Sequence, residues 1–274
     1  MTRPMTLIPM LIAAFACVCA IPNDATAAGF DHTYANWDAV LRKHVDARGM
    51  VDYATLANDE RLARFVADIG AVAPEEVGGW SRDQQVAFYI NAYNALTFRT
   101  VLDALPIASI MDIKQRSKDP HDPWETARWR VAGRDVSLNW IEHTRLRAGL
   151  NEPRVHFVLV CAAKGCPTLP GRAVLPIRLD EQLESFARAF FTDPSKNRAD
   201  AAGSRIHLSR ILEWYGDDFV PGSPAEPALE GRPAKEAASV RLLARYLPAA
   251  DVAFIARNEF TVVFNEYDWA LNTQ

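Results

Sequence analysis

Apolar residues recur at helical spacing from the first turn after Asp31, with Trp37, Val40, Leu41 and His44 on one face, and predict an amphipathic helix over 31–45. Arg48-Gly49 breaks the period, Met50-Val51-Asp52-Tyr53 reads as a short extended piece, and the helical period returns over 60–69. Ala73-Pro74-Glu75-Glu76 has the form of a helix start, with Gly78-Gly79 as its end. Ser81-Arg82-Asp83-Gln84 is a capping box, because the Ser81 hydroxyl can accept from the Gln84 amide while the Gln84 side chain reaches back to the Ser81 amide. A long helix is therefore predicted from about Arg82 to about Leu105, where Pro106 stops it. Its middle, Val86 to Leu96, is apolar nearly all round, which makes it a buried central helix.

The charged stretch Lys114 to Asp122 predicts a surface loop, and Gly133-Arg134-Asp135 a hairpin following Trp124, Trp129 and Val131. Ser137 is placed to cap a helix over 138–148 that Gly149 ends. The apolar run Val155 to Val160 predicts a buried strand leading into the loop Cys161-Ala162-Ala163-Lys164-Gly165-Cys166-Pro167. Beyond it, Leu183, Phe186, Ala187 and Phe190 predict an amphipathic helix over 180–191. A short strand at 204–208, a short helix before Trp214-Tyr215-Gly216-Asp217-Asp218-Phe219, a Pro/Gly-rich loop at 221–233, a helix at 237–246 and a strand at 259–265 complete the chain. Together these elements predict an α+β fold: a helix-rich single domain with a small mixed β-sheet and a buried central helix.

The first residues change the picture of where the chain works. One early positive charge at Arg3, an almost unbroken apolar stretch from Met5 to Pro22, and small residues up to Ala28 have the pattern of a secretory signal peptide. The expected division is a signal segment over 1–28 and a globular domain over 29–274, periplasmic or secreted, with no stable membrane insertion after cleavage. Cys17 and Cys19 leave with the signal, so Cys161 and Cys166 are the cysteines of the mature chain. Loss of Arg3 and Asp24 leaves the net charge at −4, which argues against nucleic acid as the main partner. The chain contains neither GxxxxGK[ST] nor GxGxxG, so no nucleotide cofactor is indicated, and none of any other kind is expected.

The candidate chemistry gathers around the cysteine loop. In an oxidising compartment Cys161 and Cys166 read as a disulfide; alternatively Cys161 is a thiol nucleophile presented at the end of a rigid element, or both are inert buried thiols. A redox pair is a further reading, although four intervening residues differ from the two of CxxC. On a strand, His156 and Cys161 face opposite sides and lie about 16 Å apart at roughly 3.3 Å per residue. His143 on the preceding helix is therefore the expected base, and Glu142, one residue away, is expected to pair with Arg147 or a distant group. Asn91 and Asn94 share a face of the central helix and either clamp loops or orient the base. Tyr93, Trp124 and Trp140 are candidate apolar walls. His143, His156, Cys161 and Cys166 could supply four metal ligands, but HExxH and CxxC are both absent and no metal is expected.

Val51-Asp52-Tyr53, Phe88-Tyr89-Ile90-Asn91-Ala92-Tyr93-Asn94-Ala95-Leu96-Thr97, Ser137-Leu138 with Ile141-Glu142-His143 and Leu146-Arg147, the His156 to Pro167 run, and Tyr267-Asp268-Trp269 resemble, in this order, the domain-of-unknown-function family DUF547. The most family-like stretch is 80–191. Tyr89 stands where tryptophan is common in that family and Val158 where alanine is common; neither change removes a polar group. The resemblance implies no activity, but it marks the Asn pair, the Glu-His pair, His156 and the cysteine loop. The functional expectation is a thiol-dependent acyl-transfer or hydrolase-like enzyme using Cys161, His143, Asn91 and Asn94, with His156, Glu142, Arg147 and Cys166 binding a small-molecule or peptide ligand. The alternative is a non-catalytic binding or interaction domain held by a Cys161–Cys166 disulfide.

Overall fold

A computed structural model describes residues 29–116, 123–126, 128–221 and 227–274. The expected signal segment lies outside the described residues, as do 117–122 of the charged loop and 222–226 of the Pro/Gly-rich loop.

The helices are α1 (Ala35–His44), α2 (Tyr53–Leu56), α3 (Glu60–Ala71), α4 (Pro74–Gly79), α5 (Arg82–Ala104), α6 (Met111–Arg116), α7 (Pro123–Thr126), α8 (Leu179–Thr192), α9 (Arg210–Tyr215), α10 (Ala234–Ala244) and α11 (Ala249–Ala256). Strands β1 (Trp129–Val131) and β2 (Arg134–Val136) form an antiparallel hairpin, while β3 (Arg198–Asp200), β4 (Arg205–Leu208) and β5 (Thr261–Phe264) form a second sheet. In that sheet β3 and β4 are antiparallel, whereas β4 and β5 are parallel with Ile206 opposite Val262. The molecule is a helix-rich α+β fold.

Helix α5 owes its start to the capping box, both halves of which are formed. Its residues from Val86 to Phe98 are all buried, since α3, the turn into α8 and the helix after β2 cover it on different sides. Two apolar clusters fill the molecule. The larger surrounds α5; the smaller gathers α8, α9, α10, α11, β4 and β5. The hairpin turn falls at Ala132-Gly133, both with positive φ, one residue ahead of the predicted position.

One predicted element is refined and one is corrected. The helix after β2 is a π-helix over Trp140–Gly149, seen in the Leu150 amide donating to the Arg145 carbonyl at 2.8 Å. The expected strand over 155–160 does not form. Pro153–Phe157 is instead a 3₁₀ turn, started by Pro153 and capped by the Glu152 carboxylate, which accepts from the Arg154 amide. This turn sits between the clusters, so that Val155 and Val158 enter the larger and Phe157 the smaller. With no strand, the alternation that separated His156 from Cys161 has no structural basis.

Candidate functional site

The cysteine loop is shaped by its backbone. Ala162 has φ 63°, a left-handed conformation that costs an L-residue about 1 kcal/mol or more. It folds the chain back so that the Cys161 amide donates to Cys166 Sγ at 3.0 Å, and the Ala163 amide also hydrogen-bonds Cys166 Sγ. Amides turned toward one sulfur in this way, here those of Cys161 and Ala163, form a small nest that favours its thiolate. A C-terminal segment closes the loop from outside: the Lys164 amide donates to the Ala270 carbonyl at 2.9 Å, the Gly165 amide to the Asp268 carbonyl at 2.8 Å, and the Asn272 amide to the Ala162 carbonyl at 2.9 Å.

Cys161 and Cys166 are free thiols, with their sulfurs 2.9 Å apart. The hydroxyl of Tyr267 lies 3.1 Å from Cys166 Sγ and 3.3 Å from Cys161 Sγ. Cys161 is partly exposed and Cys166 is buried. Burial pushes the Cys166 thiol up, but hydrogen bonds from the Cys161 thiol, the Tyr267 hydroxyl and the two amides outweigh it and hold Cys166 below the ordinary thiol range. Cys161 is pushed well above that range by its hydrogen bond to Cys166, by burial and by the charge on its neighbour. The donors gathered on Cys166 favour its thiolate, and a charge there disfavours a second one on Cys161.

Both sulfurs open on a cavity of about 390 Å³. One wall is aromatic: Tyr267 packs on Trp269 at 4.6 Å and on Trp214 at 4.9 Å between ring centroids. Glu142, His143 and His156 form the polar part of the lining. Glu142 and His143 reach the same cavity although adjacent in sequence, because the wider π-helical turn brings neighbours closer to one face. Burial, and then the Glu142 charge beside it, push the Tyr215 hydroxyl above its ordinary value. Tyr215 is held between the His156 ring, stacked at 4.2 Å, and the Arg147 guanidinium, 4.9 Å from its centre.

Asp218 ties this wall together. Its carboxylate accepts from His156 Nε2 at 2.8 Å and from Arg147 Nε and Nη2 at 2.6 and 2.9 Å. The His156 hydrogen bond and the Arg147 pair hold the Asp218 carboxyl far below the usual carboxylate range, against the opposing effect of burial. Asp59 is depressed likewise, first by Arg61 and then, against burial, by His44. Both carboxylates have folded pKa values below their unfolded ones, so their stabilisation is present above about pH 4 and is lost as pH falls through the folded values. The guanidinium unfolding midpoint is accordingly expected to be flat from pH 7 to 5 and to fall below about pH 4. In Asp218→Asn that acid-side slope should be shallower; an unchanged slope would show that the Asp218 cluster does not contribute to it.

The structure brings Cys161, Cys166, His143, His156 and Glu142 to one cavity, with Arg147 behind it. The expected roles change for three residues. His143 Nδ1 accepts from Arg147 at 2.6 Å, which occupies its lone pair, and among the described residues no histidine nitrogen hydrogen-bonds either sulfur. Asn91 spends its amide on Val174, donating to the carbonyl at 2.7 Å and accepting from the amide at 3.0 Å. Asn94 does the same with the Val158 carbonyl and the Val160 amide, at 3.1 and 3.0 Å. Both asparagines therefore clamp loops, and neither orients a base. Tyr93 and Trp124 line the cavity as expected of wall residues, whereas Trp140 packs near Tyr89 and Arg145. Tyr215, Asp218 and Tyr267 escaped the sequence reading of the site. The acidic pair after Trp214-Tyr215 and the motif Tyr267-Asp268-Trp269 were the available signals.

The family model described as "Protein of unknown function, DUF547" matches residues 77–191. Over this stretch, less than half of the chain, the sequence is similar to the DUF547 family. The DUF547 segment carries α5, the π-helix, the 3₁₀ turn, the cysteine loop and α8. Tyr215 and Tyr267 come from beyond it, so the cavity is completed by residues outside the DUF547 match, and Asp218, which holds His156 and Arg147 behind it, also lies outside. No curated protein and no solved structure matches the chain. Among the described residues no helix is long and apolar enough to cross a membrane, and no group of three or more His, Cys, Asp or Glu is placed to hold a metal ion.

Proposed function

We propose that the cavity is a thiol-dependent active site in which Cys161 is the nucleophile of an acyl transfer or hydrolysis at an amide or ester. The observation that carries this reading is the Cys161 sulfur, partly exposed on the cavity and 2.9 Å from Cys166 Sγ, which accepts from the Cys161 amide and the Tyr267 hydroxyl. Cys166 replaces His143 as proton acceptor: its thiolate takes the proton of Cys161, and Cys161 attacks the carbonyl carbon to give a thioester. The leaving amine or alkoxide takes the proton back from Cys166, and water then cleaves the thioester. Glu142, His143 and His156 form the polar wall that meets a small-molecule or peptide substrate, and the aromatic wall covers its apolar part. The signal-like pattern at the N-terminus supports an exported setting for this activity.

Reduced protein mixed with p-nitrophenyl acetate is expected to release a stoichiometric burst of nitrophenolate and to carry the acetyl group on Cys161. Cys161→Ala should abolish the burst, and Cys166→Ala should slow it about 100-fold or more, the scale of a lost proton transfer. The burst rate should rise with pH around a midpoint below the ordinary thiol value of about 8.5. A second reading, a non-catalytic binding domain with a structural disulfide, draws on the nearness of the two sulfurs and on the loop-clamping asparagines. Reduced, folded protein that acquires no acetyl group on Cys161 would favour that reading.

A further inference from the structure

We propose that Cys161 and Cys166 are a working dithiol–disulfide couple that exchanges with thiols and disulfides of external peptides, Cys161 being the sulfur that bonds to the substrate and Cys166 the sulfur that resolves it. This is an activity distinct from acyl transfer and does not depend on it.

Three features of the loop carry the inference. The sulfurs already touch, despite four intervening residues, because left-handed Ala162 doubles the chain back and the C-terminal segment holds it there. Access is unequal: both cysteines border the cavity, but Cys161 is partly exposed and Cys166 is buried, so a peptide sulfur meets Cys161 first. The charge is unequal in the opposite sense. Cys166 receives the Cys161 and Ala163 amides and the Tyr267 hydroxyl, the kind of donor set that holds a thiolate. A sulfur with that support leaves readily when its partner is attacked, because a leaving thiol of lower pKa departs faster. Tyr267 touches both sulfurs and can follow the charge from one to the other.

The exchange balances in both directions. In oxidation of the protein, the Cys161 thiolate, its proton passed to Cys166, attacks one sulfur of a peptide disulfide. A Cys161–peptide disulfide forms, and the other peptide sulfur departs as a thiolate that takes up a proton. Cys166, deprotonated again, attacks Cys161 Sγ, closing the Cys161–Cys166 bond and expelling the second peptide thiolate. Two electrons pass from the protein dithiol to the peptide disulfide, which becomes two thiols. In the reverse direction a peptide thiolate attacks Cys161 Sγ and expels Cys166 into its nest. A second thiol of the same peptide then attacks the peptide sulfur and releases Cys161, leaving the peptide oxidised and the protein reduced.

The test uses the full chain, reduced and freed of reductant, mixed with oxidised glutathione as the probe disulfide, quenched with an alkylating mass tag and read by peptide mass. Wild type is expected to lose both taggable thiols together and to gain an internal Cys161–Cys166 bond without accumulating glutathione. Cys166→Ser should trap glutathione on Cys161. In Cys161→Ser, glutathione should join Cys166 at least about 10-fold more slowly than it joins Cys161 in Cys166→Ser, since burial limits access. The oxidised wild type, given a peptide carrying two thiols, should return to the dithiol as the peptide closes its own disulfide. Glutathione accumulating on wild-type Cys161, both thiols staying free, or an oxidised protein that leaves the dithiol peptide unchanged would each overturn the proposal. The wild-type outcomes need no variant to fold. They are also separable from the ester burst: a protein that cycles with peptide thiols but takes no acetyl group keeps this inference and loses the acyl-transfer reading, and the converse result does the opposite.

Discussion

Replacing Asn94 by alanine is expected to lower stability by about 3–5 kcal/mol and the melting temperature by roughly 10 °C or more. The side chain is buried and makes two hydrogen bonds to one stretch of backbone, donating to the Val158 carbonyl and accepting from the Val160 amide. That stretch runs through the core with no strand beside it, so Asn94 does what a neighbouring strand would do for these groups. Its removal leaves a buried carbonyl and a buried amide unpaired, each at about 1–3 kcal/mol. Thr97 gives the control. It is equally buried on the same helix, but its hydroxyl bonds the Tyr93 carbonyl one turn back, within helix α5 itself. Thr97→Val should cost about 1 kcal/mol. Thermal unfolding of the two variants beside the wild type decides the matter: equal losses would mean that the Asn94 clamp is no more than another buried polar group.

Gly165→Ala is expected to act on both the fold and the thiols. A Cβ at this position would lie 2.9 Å from two ring carbons of Tyr267 and 3.0 Å from the Asp268 amide nitrogen. Backbone on one side and a packed ring on the other leave no flexible group to give way, and the overpacking should cost about 1–3 kcal/mol. The displaced ring takes its hydroxyl from Cys166, whose ionisation it supports. The thiol titration midpoint of the pair, followed by thiolate absorbance, should therefore move up in Gly165→Ala, as it should in Tyr267→Phe. A midpoint unchanged in both would show that the amide nest alone holds the charge.

The parts of the fold legible in the sequence were those in which local chemistry and burial agree. The capping box set the start of α5, and its apolar middle announced a central helix; Leu183, Phe186, Ala187 and Phe190 did the same for α8. The run Val155 to Val160 was misread for a physical reason. It is apolar because it is enclosed between two clusters, which is also what an inner strand looks like, and the Pro153 that starts its 3₁₀ turn lies outside the apolar run. The site suffered twice from this. A strand would have set His156 and Cys161 on opposite faces, and four residues between the cysteines spoke against a working pair. Neither inference could foresee a left-handed alanine, which has no sequence signature, nor the adjacent wall residues Glu142 and His143 on a π-helix. Tyr267 and Asp218 were invisible as site residues because what selects them is packing across the fold.

The hydroxyl that touches both sulfurs belongs to a residue 101 positions after Cys166. At a synthesis rate of roughly 5–20 residues per second, the two cysteines exist for about 5–20 s before that tyrosine does. For most of this interval, once residue 191 has been added, the matched segment is complete in sequence, yet its thiols have neither the Tyr267 hydroxyl nor the C-terminal backbone that closes their loop. On the proposed reading, chemistry at Cys161 waits for the segment that carries Tyr267, and a chain that stops before it holds two thiols without that support.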